Sequence, residues 1–324
     1  MRLSHILILG AAVALAGCGG GSSASSAPTS TPAALAVNHA HSILVMPNNP
    51  NDVLMGAHYR LYKSTNGGKS WQPLVNQMVL SMELDPTHPT TIYAVSLQNG
   101  LEKSVDGGAH WTPLRLGIAK GHLTGVSFVP AGRVVLAYGV GIYRSATGGA
   151  HWSNVLTKQS IYSIAVDAGG TAYAASSNGL YVSHDAGLHW KLATQIGNQP
   201  VVQAAASGKV AYAIAAVALM KSTDSGRTWK ALSGAPSIEF LGVSPTNPNE
   251  VFGEIGAQGF VMSRDGGMHW QKANTGIKDR NFNASVIRVS PSSPNVVYTA
   301  AWGLHFYGSH DGGQHWTRTS TLVH

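Results

Sequence analysis

The chain has 324 residues, of which 44% are hydrophobic and only 11% charged, with 38 glycines. That apolar share supports a large core and excludes a chain disordered by composition, while the abundance of Gly, Thr, Ser, Val and Tyr favours short strands and tight turns over helices. The net charge is +7, but the basic residues are scattered with no run of three together, so no concentrated face for nucleic acid is expected.

The first segment, MRLSHILILGAAVALAGC, joins one Arg to an apolar stretch and small residues, the pattern of a secretory signal. Its end, Leu15-Ala16-Gly17-Cys18, resembles a bacterial lipobox, which implies lipidation of Cys18 and an exported, membrane-anchored protein of the cell envelope. Cys18 is the only cysteine, so no disulfide forms within one chain. Residues 19–37, rich in Gly, Ser and Pro, read as a flexible tether. No later segment has the roughly 18 apolar residues that a spanning helix needs.

From residue 38 onward one pattern recurs: STNGGKSW, SVDGGAHW, SATGGAHW, SHDAGLHW, STDSGRTW, SRDGGMHW and SHDGGQHW, with serines 40, 41, 38, 39, 41 and 46 residues apart. A period near 40 suits one four-stranded propeller blade. Each copy reads as a turn. Its Asp or Asn accepts backbone N–H bonds two residues on, its second glycine supplies positive φ, and its Trp anchors the neighbouring sheet with the indole N–H reaching the surface. Between copies come an inner strand A ending in a turn, a strand B such as TIYAVS, a strand C such as GLYVS, and after the repeat an outer strand D.

These repeats resemble the Asp-box, or bacterial neuraminidase repeat, of a superfamily that includes sialidases, family 74 xyloglucanases, sortilin-type receptors and photosystem II assembly propellers. The resemblance covers residues 38–319 or so and implies an all-β fold: a single seven-bladed β-propeller with four-stranded antiparallel blades and one Asp-box per blade, the first blade packing on the last. It does not imply one activity.

Subtracting the repeat removes seven of the eight Trp and five of the 14 acids, and five of the 15 His precede a repeat Trp. Glycoside hydrolysis needs two carboxyl groups flanking one bond, and the spare candidates are Glu239, Glu254 and Asp279. The sialidase Arg-Ile-Pro motif is absent, and family 74 enzymes pair two propellers. The residues that break the repeat cluster at the B–C and D–A loops of the first and last units. Trp302 offers a stacking surface, Arg60, Lys278 and Arg280 are donors to anionic or hydroxylated groups, and Tyr59, His58, His41 and His305 line the same place. His39, His41 and His58 together meet the ligand count of an open Zn²⁺ site. Aligning the inner strands places His41, Leu80, Thr124, Tyr162, Val202, Glu239 and Ser285 in an upper tier, and Leu44, Glu83, Ser127, Ala165, Ala205, Gly242 and Arg288 in a lower one where Glu83 and Arg288 could pair.

The expected function is a non-catalytic, membrane-tethered module that binds a glycan or a protein partner, with no cofactor, no nucleic acid and a monomeric state. The alternative is a glycan-active hydrolase.

Overall fold

A computed structural model describes residues 39–118, 121–216, 218–279, 284–301 and 305–320. Cys18, the tether, Arg280 and Trp302 lie outside the described residues.

The described strands are β1 (Ala40–Val45), β2 (Val53–Ala57), β3 (Leu61–Ser64) and β4 (Gln72–Val75), then β5 (Val79–Leu84), β6 (Ile92–Ser96), β7 (Gly100–Ser104) and β8 (Thr112–Pro113). There follow β9 (Leu123–Val129), β10 (Val134–Ser145), β11 (Ser153–Val166), β12 (Ala172–Ser176), β13 (Gly179–Ser183) and β14 (Lys191–Leu192). The chain continues through β15 (Val201–Ser207), β16 (Val210–Ala215), β17 (Ala218–Ser222) and β18 (Lys230–Ala231), then β19 (Phe240–Val243), β20 (Val251–Glu254), β21 (Phe260–Ser263) and β22 (Gln271–Lys272). It closes with β23 (Ala284–Val289), β24 (Val297–Ala301), β25 (His305–Ser309) and β26 (Thr317–Ser320). Every pairing between these strands is antiparallel, and the fold is an all-β propeller.

The expectation of seven separate four-stranded blades is corrected. The described strands form six sheets: β1–β4, β5–β8, β15–β18, β19–β22 and β23–β26 have four strands each, while β9–β14 make one sheet of six. The reason lies at two corners. β10 passes through YGVGIY without leaving extended pairing, its corner Gly141 at φ +93° with an added Cβ only 2.5 Å from the Leu156 carbonyl. β11 then runs unbroken for 14 residues, pairing with β10 at one end and β12 at the other, with a bend at Lys158, φ +59°. Neither corner carries a loop that would separate two units.

Burial follows position within a sheet. Interior strands, as in VLMGA of β2, IYAVS of β6 and AYAAS of β12, are buried along their whole length because sheets cover both of their faces. Outer strands such as β8 and β22 are exposed, which is why their sequences are short and polar.

All seven repeat turns share one hydrogen bond, from the second glycine N–H to the repeat serine Oγ. In the second copy, Ser104 Oγ accepts the Gly108 N–H at 2.8 Å and donates to Asp106 Oδ1 at 2.8 Å. The carboxylate accepts N–H groups three and four residues on, from Ala109 and His110, not two residues on as expected from an Asx turn. His110 Nδ1 lies 2.6 Å from Asp106 Oδ2, and the same pair recurs at His189, His269 and His315. The indole N–H does not reach solvent: Trp111 donates to the Gly108 carbonyl at 2.9 Å, and Trp152, Trp190, Trp229 and Trp270 do likewise. The second glycine has positive φ in all seven copies, from +78° to +97°.

First and last sheets share one core. Phe306 is fully buried against Trp71 and Tyr298, with ring centroids 4.8 and 5.3 Å apart, and Tyr298 donates its hydroxyl to the Pro50 carbonyl at 3.0 Å. Contacts between residues 248 apart in sequence therefore close the ring.

Candidate functional site

Three polar clusters stand at one end of three sheets that pack in succession, β19–β22, β23–β26 and β1–β4. This is the end where inner strands begin and where the second strand turns into the third.

A bulge shapes this end in most units. The registers of β1, β5, β9, β11, β15 and β23 each skip one residue near the entrance: His41, Leu80, Thr124, Tyr162, Val202 and Ser285. These are six of the seven positions aligned from sequence as the upper tier. A bulge re-aims its extra residue, so one position per inner strand is turned out of regular alternation. β19 has no such shift; its ladder begins at Phe240 opposite Glu254.

The first cluster is Glu239 and Glu254. The Glu239 N–H donates to the Glu254 carbonyl at 2.7 Å. Glu254 has 0% exposure, and its carboxylate oxygens make no well-aligned hydrogen bond. Burial pushes its carboxyl up to about 8 and the nearby Glu239 charge adds to this, while the Gly256 and Ala284 amides draw it partly back. Glu254 is therefore protonated at neutral pH. Glu239 is exposed and leans over Gly256, where an added Cβ would meet its Oε1 at 2.9 Å.

The second cluster centres on Asp279, carried by the segment that enters the last sheet. That segment is pinned by Asn274, which accepts the Phe260 N–H and donates to the Gln258 carbonyl, and by Gly276, whose φ of +93° and close approach to the Trp316 carbonyl admit no side chain. Trp316 is exceptional among the repeat Trp: its indole N–H donates to Ala273 of this segment at 2.8 Å. Asp279 Oδ2 accepts the Tyr307 hydroxyl at 2.6 Å and lies 2.9 Å from His305 Nδ1, with Arg318 Nη1 at 3.7 Å from Oδ1. Burial and the acidic partner raise the Tyr307 phenol above its ordinary range. Sequence reasoning named Asp279 and His305 but missed Tyr307 and Arg318. His305 and Tyr307 stand two apart on β25 and so share one side of it, which was the available signal.

The third cluster is His39, His41 and His58. Their ring centroids are 4.2, 5.4 and 5.8 Å apart, and one ligand atom from each lies within 4.8 Å of the others. The His58 N–H donates to the His39 carbonyl at 3.1 Å, fixing the two backbones. Burial, and then the neighbouring imidazoles, lower His41 to about 4, so its ring is neutral at pH 7. Tyr59, 46% exposed, sets its ring edge against His58 at 4.7 Å, and Arg60 beside it is exposed. Lys278 is exposed too, its N–H donating to the Tyr307 hydroxyl at 3.4 Å.

Below this end runs a central channel of about 520 Å³. All of the lower tier lines it: Leu44, Glu83, Ser127, Ala165, Ala205, Gly242 and Arg288. Burial raises Glu83 to about 6, and the Arg288 charge offsets part of that rise. Among the described residues the two make no ion pair within 4.0 Å; they interact across the channel.

No protein family model matches this chain, and no curated protein matches it. Solved structures share its fold. YCF48 bound to a D1 peptide is 17% identical, with a TM-score of 0.64 over 82% of this chain and 90% of that one. YCF48 from Cyanidioschyzon merolae is 15% identical, with a TM-score of 0.67 over 84% of this chain and 95% of that one. An ancestral GH74 enzyme is 20% identical, with a TM-score of 0.70 over 87% of this chain but only 46% of that one, so this chain spans about half of the enzyme's length. At these identities the likeness is one of fold: the chain is a β-propeller similar in architecture both to YCF48 and to part of a GH74 enzyme.

Proposed function

We propose that the chain is a binding module held at the cell envelope by a lipid on Cys18, which takes a polypeptide partner at the end of the propeller bearing the three polar clusters. The observation that carries this reading is the state of the three spare acids. Glycoside hydrolysis needs two carboxyl groups flanking an accessible bond, roughly 5 to 9.5 Å apart. Glu254 is sealed from solvent and Asp279 is engaged by Tyr307, His305 and Arg318, which leaves Glu239 as the exposed member of the set. Tyr59, Arg60 and Lys278 stand exposed on the same end, an aromatic face with cations suited to main-chain carbonyls and carboxylates. The peptide complex of YCF48, a propeller of similar fold, supports a peptide over a glycan.

The hydrolase reading keeps one favourable feature, a protonated Glu254 beside Glu239, the pairing of acid and carboxylate that glycosidases use. Two measurements separate the readings. Peptide arrays and crosslinking pull-downs with the wild-type chain should recover a polypeptide, and Tyr59→Ala with Arg60→Ala should weaken its capture by roughly tenfold or more. Glycan turnover that is abolished by Glu239→Gln would overturn the proposal.

A further inference from the structure

The His39, His41 and His58 cluster is not explained by packing or by the binding reading. Imidazoles next to one another gain nothing from mutual charge, and no other copy of the repeat brings three histidines to these positions; the third copy has only His122, at the place of His39. The local backbone explains the convergence. His39 and His41 flank Ala40 at the start of β1, where the bulge between Ala40 and Ser42 re-aims His41, and His58 follows the last residue of β2, paired directly across. His41 Nε2 is buried and has no hydrogen-bond partner. Such an atom costs free energy unless something coordinates or bonds it. An added cation would do so, because a neutral imidazole offers a lone pair and is the commonest protein ligand to borderline divalent metals.

We propose that His39, His41 and His58 form a three-histidine site for a divalent transition metal of the zinc class, with its fourth position open. A tetrahedral ion about 2.1 Å from each nitrogen requires ligand atoms about 3.4 Å apart. The donor atoms already lie within 4.8 Å of one another, so small rotations about the side-chain torsions close the site. A carboxylate or water would complete the coordination at the fourth position.

The test uses zinc alone, so its failure leaves the peptide reading standing. The full chain carrying Cys18→Ala, which removes its one thiol, is titrated with Zn²⁺ by calorimetry and its melting temperature followed; Co²⁺ then serves as a spectroscopic stand-in. The expected result is a single saturable site, a higher melting temperature with zinc, and the intense visible absorption of tetrahedral Co²⁺. His41→Ala and His58→Ala should each weaken zinc by roughly 100-fold or more, with metal-free circular dichroism checking that both fold. His110→Ala, at a surface turn, should leave binding unchanged. The proposal is overturned if zinc produces no heat and no shift in melting, if the His41 and His58 variants bind like wild type, or if His110→Ala weakens binding as much as they do.

Discussion

Replacing Glu254 by Gln should stabilise the protein in alkaline solution while changing little in acid. Glu254 is fully buried without a well-aligned hydrogen bond, and its folded value of about 8 lies far above the ordinary 4.5. The native state therefore holds a proton that the unfolded state gives up between those values, and stability falls as pH rises through that window. Below about 4.5 both states are protonated and the group contributes no slope; above about 8 the full cost is present. At 1.36 kcal/mol per unit, the ceiling is roughly 5 kcal/mol, with relaxation and water entry reducing it. Glutamine is neutral, nearly isosteric and does not titrate. Urea unfolding of wild type and Glu254→Gln at intervals from pH 4.5 to 9 isolates the effect, because titrating groups not coupled to Glu254 cancel in the difference. The two curves should meet near pH 4.5 and diverge steadily to pH 8, the variant being the more stable. Parallel curves would refute the reasoning. Glu239→Gln, by removing the nearby charge, should lower the folded value of Glu254, so that the divergence levels off at a lower pH and is smaller.

Ser104→Ala removes the acceptor of the buried Gly108 N–H and the donor to Asp106, and should cost about 1–3 kcal/mol by urea unfolding. Phe306→Ala opens the seam between first and last sheets beneath Gly68 and Trp71, and should cost about 3–5 kcal/mol, with earlier proteolysis at both chain ends as an independent sign that the ring has loosened. Arg288→Met removes the charge that offsets the burial of Glu83, so the loss of wild-type stability between about 4.5 and 6 should extend to higher pH in the variant, checked by the same urea series.

The repeat turns were legible because each is local. Ser, Asp, Gly and Trp lie within eight residues of one another, so hydrogen bonds as short as Ser104 to Gly108 dictate sequence directly. The inner-strand tiers were legible for a related reason: a strand alternates with period two, so counting from the turn fixes which residues reach the channel, and the bulges fell on six of the aligned positions. The candidate histidines and acids were identifiable as departures from the repeat. Their states were not. Whether Glu254 is sealed or open, whether Asp279 is free or held by Tyr307 and Arg318, and whether three imidazoles meet depend on how β1, β19 and β23 pack side by side. The sheet count belongs with these. Seven turns in sequence led to an expectation of seven separate blades, yet the corner at Gly141 and the unbroken run of β11 joined β9 to β14 into one hydrogen-bonded sheet. Sequence by itself determined the local turns and the alternation of faces, because those interactions span only a few residues. Tertiary structure alone decided where sheets end and which carboxyl groups keep their protons, because burial and hydrogen-bond continuity are set by neighbours distant along the chain.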